Sequence, residues 1–145
     1  MDDCRLRAAL IKYEGTKMRG NRHILYRDSV GIQTIGYGRN IDERGISHDE
    51  AVLMLRNDID DSVSDMNRVF PWVGELDDIR QEVVANMVFN LGIGKFSRFK
   101  KTIAHIRAGR FVDASKEMLD SKWARQVGYR AKELSMMMAT GRGIK

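Results

Sequence analysis

Two carboxylates and one hydroxyl stand out as side chains that could do chemistry together. Glu14 is followed by Gly15, and Asp28 and Thr34 lie further along at the two ends of a short segment. One carboxyl group can donate a proton to the leaving oxygen of a glycosidic bond, while the other helps a water molecule to attack. These three side chains are therefore a candidate set for hydrolysing a glycosidic bond.

Each of the three side chains also has an ordinary structural explanation. Glu14 could be a solvated residue at a helix end, Asp28 a turn residue that caps its own backbone, and Thr34 a β-branched residue that fills a strand. The glycines around them would allow tight turns and close approach of a sugar chain; they are Gly31, Gly36 and Gly38. The residues alone leave these alternatives open.

The elements that must position these side chains follow from apolar periodicity and turn residues. Apolar residues at helical spacing predict a first helix that Gly15 ends. Residues 24–41 are rich in strand formers punctuated by glycine, which predicts short antiparallel strands. Ser47 and Glu50 form a capping box at the start of a long helix.

Further helices are expected in the second half of the chain. One begins at Asp77 or Asp78 and ends at Gly92, a second covers Phe99 to Ile106 before Gly109, a third includes Val112 to Leu119, and the last covers Tyr129 to Met138. Because the strands are segregated from the helices, the fold class is predicted to be α+β.

Composition restricts the possible functions. The single cysteine excludes an internal disulfide and a cysteine-based zinc site, and the three histidines show no ligand spacing. No apolar run approaches the ~20 residues of a membrane span, and the N-terminus lacks the apolar core of a secretory signal. The net charge of +5 favours polyanionic partners, either nucleic acid or an anionic cell wall.

Several motifs in order along the chain resemble the phage-type lysozymes, or endolysins, of glycoside hydrolase family 24. Glu14-Gly15 precedes Tyr26-x-Asp28-x-x-Gly31-x-x-Thr34-Ile35-Gly36-x-Gly38. Ile46-Ser47-x-Asp49-Glu50-Ala51 is similar to the start of that family's interlobe helix, Asn86 to Gly92 to its buried central helix, and Ser121-Lys122-Trp123 with Arg130-Ala131-Lys132 to its late helices.

The resemblance implies one lysozyme-like domain with a substrate cleft between two lobes. The β lobe would cover about 14–46, the interlobe helix about 47–68, and the helical lobe about 70–145 together with the N-terminal helix. Extra residues within Thr16–Ile24, a stretch rich in basic side chains, separate Glu14 from Asp28 more widely than is usual. The resemblance also suggests an ion pair between Arg39 and Asp58.

The resemblance assigns roles to particular residues. Glu14 would be the general acid, and Asp28 and Thr34 would hold the attacking water, an arrangement that favours inversion at the anomeric carbon. The expected substrate-binding residues are Gly36, Tyr37, Asn90 and Arg130. No cofactor and no metal ion are expected.

The implied function is hydrolysis of the β-1,4 bond between N-acetylmuramic acid and N-acetylglucosamine in peptidoglycan, for phage or prophage lysis. Peptidoglycan glycan strands would be the partner, with no nucleic acid and no stable membrane insertion, and the protein would be a monomer. It would be made in the host cytoplasm and reach the periplasmic cell wall with the help of a holin. The alternatives are a lytic transglycosylase on the same substrate, a non-catalytic basic cell-wall or nucleic-acid binder, and a virion-associated enzyme.

Overall fold

The computed structural model describes residues 1–144 and confirms the α+β class, with eight α-helices, one 3₁₀ helix and five short strands in that range. The chain divides into two compact units, and the boundary falls within one long helix, between Leu53 and Met54. The first unit comprises Met1–Leu53 and therefore includes the N-terminal helix. The predicted assignment of that helix to the helical lobe stays a prediction.

The first unit begins with helix α1, Asp3–Tyr13. The Asp2 side chain caps this helix by accepting hydrogen bonds from the backbone N–H groups of Cys4 and Arg5. Five strands follow: β1 Met18–Arg19, β2 Arg22–His23, β3 Tyr26–Arg27, β4 Gln33–Ile35 and β5 Arg39–Asn40. They form an antiparallel pair, β1–β2, and an antiparallel three-stranded sheet in the order β3–β4–β5.

The β1–β2 hairpin lies inside the stretch for which the sequence predicted only extra residues. Arg19 pairs with Arg22, so Gly20 and Asn21 form a two-residue loop. Gly20 has φ +58°, and a positive φ at the first loop position is the requirement of a type II′ turn. The dipeptide Gly20-Asn21 is therefore a sequence signal that indicates a hairpin within this segment.

Helix α2, His48–Val69, begins and ends within one residue of the predicted bounds. The Glu50 N–H donates to Ser47 Oγ at 3.1 Å, and the Ser47 N–H donates to Glu50 Oε1 at 2.9 Å. These reciprocal bonds confirm the capping box, which satisfies backbone donors that the first helical turn leaves unpaired.

The second unit is helical. It contains the 3₁₀ helix Pro71–Glu75 and the helices α3 Asp78–Leu91, α4 Ile93–Phe96, α5 Lys100–Arg107, α6 Phe111–Leu119, α7 Lys122–Val127 and α8 Tyr129–Thr140. Asp77 caps α3, and Gly92 follows its last residue, as predicted. Apolar periodicity did not predict the short helices α4 and α7, because four and six residues are too few to show a helical period. The resemblance did place Ser121-Lys122-Trp123 in a late helix, and α7 begins there.

The core of the second unit is built from apolar faces of its helices, and its fully buried side chains include Val83, Val84, Met87, Phe96, Ile106, Met118 and Met138. Burying a side chain of this size contributes ~1.5–3 kcal/mol relative to leaving it in water. Trp123 is 3% exposed and packs within this core. Within residues 1–144, none of the helices has the length and apolar character needed to cross a bilayer.

Candidate active site

Glu14 lies directly after the end of α1, where the sequence predicted a helix end. Its backbone N–H still bonds to Leu10 O at 2.9 Å, and Gly15 follows with φ +58°. The Glu14 side chain lies against Gly38 so closely that a Cβ atom added to Gly38 would stand 2.7 Å from Glu14 Oε2. The exposed carboxyl group is therefore packed on the backbone of the glycine-rich turn.

Asp28 is a half-buried residue at the start of the turn between β3 and β4. Its Oδ1 accepts hydrogen bonds from the backbone N–H groups of Val30 and Ile32, both at 2.9 Å. Among the residues that the structure describes, Oδ2 accepts no hydrogen bond. Asp28 thus caps its own turn with one oxygen, and the other oxygen remains available to a ligand.

Thr34 lies in the central strand β4, between Tyr26 of β3 and Asn40 of β5. It is 3% exposed, and its hydroxyl donates to Ile32 O at 2.9 Å. The same carbonyl accepts the Asp28 N–H at 2.9 Å. The backbone of Ile32 therefore holds Asp28 and Thr34 next to each other. Ile32 was not among the predicted site residues, because its apolar side chain carries no reactive group.

Gly36, Tyr37 and Gly38 form the loop that joins β4 to β5. Gly36 and Gly38 have φ +65° and +82°, values that L side chains rarely adopt. Tyr37 is 50% exposed, and its ring meets the His23 ring edge to face, with centroids 5.0 Å apart. The loop therefore presents backbone and one aromatic ring beside the carboxyl group of Glu14.

Arg39 forms an ion pair with Glu50, and the pair with Asp58 that the resemblance suggested stays a prediction. Arg39 Nη2 lies 2.8 Å from Glu50 Oε2, and Arg39 Nη1 donates to Gly45 O. The hydrogen bond from Arg39, followed by those from Ser47, lowers the pKa of Glu50 to about 2. The capping box supports this ion pair, because it orients the Glu50 carboxylate at the helix start.

Two predicted substrate-binding residues lie in the second unit. Asn90 Oδ1 accepts the Trp123 Nε1–H at 2.8 Å, which satisfies the buried indole and leaves the Asn90 amide NH₂ as a donor. Arg130 Nε donates to Asn86 Oδ1 at 2.9 Å. Arg130 also lines a groove with mostly apolar residues of α2 and α3, namely Leu55, Ile59, Val63, Ala85 and Phe89.

The structure therefore brings together two parts of the predicted set within the first unit. Asp28 and Thr34 share Ile32, and Glu14 lies against Gly38 in the loop that contains Gly36 and Tyr37. Asn90 and Arg130 belong to the second unit. Their predicted role toward substrate stays a prediction.

The known proteins that this chain resembles include several with lysozyme in their names or family description. A family model described as phage lysozyme matches residues 16–138, a range that contains Asp28 and Thr34 and begins just after Glu14. Probable T4-type lysozymes 1 and 2 of Dictyostelium discoideum are 26% and 25% identical over 163 aligned residues, covering 91% of this chain and 92% of each relative. The pre-baseplate central spike protein Gp5 of Enterobacteria phage T4 is 29% identical over 150 residues, which cover 84% of this chain and 26% of the phage protein. Since the family model spans most of its length, the chain belongs to the phage lysozyme family.

Proposed function

We propose that the protein is a muramidase that hydrolyses the β-1,4 bond between N-acetylmuramic acid and N-acetylglucosamine in peptidoglycan. The observation that carries the proposal is the arrangement around Ile32, which fixes Asp28 and Thr34 side by side in a chain of the phage lysozyme family. Glu14 serves as general acid, and no cofactor takes part.

The hydrogen bonds made by Asp28 and Thr34 support a water site between these two side chains. The Thr34 hydroxyl donates its proton to Ile32 O, so it can only accept a hydrogen bond from water. Asp28 Oδ2 is an acceptor as well. A water that donates one proton to each oxygen keeps a lone pair for attack on the anomeric carbon. Thr34 is 3% exposed, so its hydroxyl is held within the sheet rather than in open solvent.

Glu14 gives its proton to the glycosidic oxygen as the bond from that oxygen to the anomeric carbon breaks. The water oxygen bonds to the same carbon from the opposite face and passes a proton to Asp28. Attack on the opposite face inverts the configuration. Gly36, Tyr37, Asn90 and Arg130 are proposed to bind the glycan strand.

Glu14→Gln tests the general acid. The amide keeps the shape of the side chain but cannot donate the proton, so we expect the release of reducing ends from purified peptidoglycan to fall roughly 10²–10⁴-fold. Glu75→Gln is the matched control, because Glu75 is an exposed glutamate in the second unit and loses the same charge. A folded Glu14→Gln protein with the control's activity would refute the assignment.

Asp28→Asn separates hydrolysis from lytic transglycosylation. The Asn side-chain oxygen can still accept the turn's N–H bonds, so the fold is retained while the charge beside the water is lost. We expect hydrolysis to fall at least tenfold, and mass spectrometry to show reducing-end products in the wild type. Asp42→Asn is the control, because Asp42 also accepts a backbone N–H, from Gln33. Full activity of Asp28→Asn with 1,6-anhydro products would establish the transglycosylase instead.

The same assay on purified peptidoglycan also tests whether the protein is a non-catalytic binder. A non-catalytic basic binder would bind peptidoglycan in a salt-sensitive way and release no reducing ends.

For the biological role, we propose lysis by a phage or prophage, with release across the inner membrane assisted by a holin and action as a monomer. Similarity to a spike protein supports a virion-associated enzyme as the second candidate. Detection of the chain in purified virions would favour the second role.

A further inference from the structure

A closed circuit of contacts in the first unit joins the end of α1 to the glycine-rich loop. Thr16 Oγ1 and His23 Nδ1 share a hydrogen bond of 2.8 Å. The His23 ring meets the Tyr37 ring at an interplanar angle of 74°. Gly38 follows Tyr37 and lies against the Glu14 side chain, and Glu14 stands two residues before Thr16. These contacts and the chain from Glu14 to Thr16 therefore form a closed circuit that includes the Glu14 side chain.

The hairpin gives His23 a fixed place in this circuit. His23 pairs with Met18 across the two strands, and the Ile24 N–H bonds to Lys17 O at 2.9 Å at the open end of the hairpin. The Tyr26 hydroxyl donates to Gly15 O, which ties the segment after Glu14 to β3. The imidazole of His23 is thus held on one side by the hairpin and on the other by Thr16 and Tyr37.

We propose that His23 is a positioning residue for Glu14, acting through Thr16 on one side and through Tyr37 and Gly38 on the other. This inference rests on the proposed function, in which Glu14 is the general acid. Glu14 lies beyond the last residue of α1 and is exposed, so the helix alone leaves its side chain free to rotate. A general acid must stay within hydrogen-bonding reach of the leaving oxygen, and small displacements reduce the rate steeply.

The test uses two substitutions that each break the hydrogen bond between Thr16 and His23. Thr16→Val removes the hydroxyl and keeps the shape of the side chain. His23→Phe keeps a flat ring against Tyr37 and removes Nδ1. With solubilised glycan strands as substrate, we expect each variant to lower kcat roughly three- to tenfold with KM changed less than about twofold, as for a lost hydrogen bond. The double variant should lose no more than either single variant, because both substitutions remove the same hydrogen bond.

Two further variants serve as controls. Thr16→Ser retains the hydroxyl and should keep the wild-type kcat. His48→Phe changes an exposed histidine at the start of α2 and should leave both kinetic constants unchanged. Thermal unfolding of each variant gives the folded fraction, by which kcat is corrected.

The outcomes are distinguishable from failure of the proposed function. If the wild type releases no reducing ends, the muramidase proposal fails and this inference fails with it. If the wild type is active and Glu14→Gln is inactive, but the Thr16 and His23 variants match His48→Phe, the positioning role alone is wrong. Losses that add in the double variant, or that disappear after correction for folding, would also overturn it.

Discussion

Asp28 shows how one side chain can have both a structural and a chemical role. Its Oδ1 closes the turn through Val30 and Ile32, which is the ordinary use of an aspartate in a turn. Because that oxygen is fixed, the position of Oδ2 is fixed as well. The structural interpretation therefore supports the chemical one, since a rigid turn holds the second oxygen in place for a water.

Gly38 has a more specific role than flexibility at a turn. Gly38→Ala introduces a methyl group 2.7 Å from Glu14 Oε2, so the carboxyl group must move away. We expect kcat for glycan hydrolysis to fall about tenfold or more, because the acid is displaced from its working position. Positive φ also costs the variant ~1–2 kcal/mol of stability, since an L side chain is strained there.

The control for this prediction is Gly109→Ala. Gly109 has φ +75°, close to that of Gly38, but a Cβ atom there would meet nothing within 4 Å. Both variants should therefore lose similar stability in thermal unfolding, and only Gly38→Ala should lose activity per folded molecule. Equal activities of the two folded variants would show that the contact with Glu14 is irrelevant to the reaction.

The start of α2 is the element in which local electrostatics are most pronounced. Arg39 and Ser47 both bind the Glu50 carboxylate, and the Arg39 hydrogen bond is the largest cause of the lowered pKa of Glu50, about 2 instead of 4.5. A pKa that is lower in the folded than in the unfolded chain stabilises the fold above pH 4.5. That contribution is lost as the pH falls from 4.5 toward about 2.

Glu50→Gln should therefore destabilise the protein in a pH-dependent way. The amide can accept hydrogen bonds but carries no charge, so the difference in Tm from the wild type should be largest near neutral pH. It should shrink between pH 4.5 and about 2, where the wild-type carboxylate becomes protonated. Glu75→Gln, which removes an exposed charge in the second unit, is the matched control. Because Glu50 is 43% exposed in this pair, added salt should also reduce the difference. A Tm difference that is constant across the pH range would contradict the role of the charge.

The elements that sequence analysis predicted well are those with local signals. The Ser47–Glu50 box, the Asp77 cap and the glycine after α3 each depend on residues within one turn, so their positions could be read from the chain. The partner of Arg39 and the contact of His23 with Tyr37 depend on how separate segments meet. Spacing along the chain does not contain that information. Strands of two or three residues are likewise too short to show a period, so only their approximate region was predictable.

Part of the positive charge of the molecule lies on the β1–β2 hairpin. The net charge is +5, and Lys17 and Arg19 are exposed in the first unit, on the hairpin that also carries His23. Exposed cations near a binding site raise the rate of encounter with an anionic partner, and salt screens that attraction over ~10 Å at 0.1 M. The hairpin could thus assist capture of an anionic cell wall without contributing to the chemical step.

Lys17→Gln combined with Arg19→Gln should therefore weaken lysis of chloroform-treated cells mainly at low salt. The matched control is Lys116→Gln with Lys122→Gln, which also lowers the net charge from +5 to +3 but changes exposed residues of the second unit. If the hairpin steers the wall locally, its double variant should lose several-fold in lytic rate at low ionic strength, more than the control, and the deficit should vanish as salt approaches ~1 M, where the screening length falls to ~3 Å. If both variants lose activity equally, net charge alone governs capture. Parallel salt curves for the wild type and the hairpin variant would show that these side chains have no part in it.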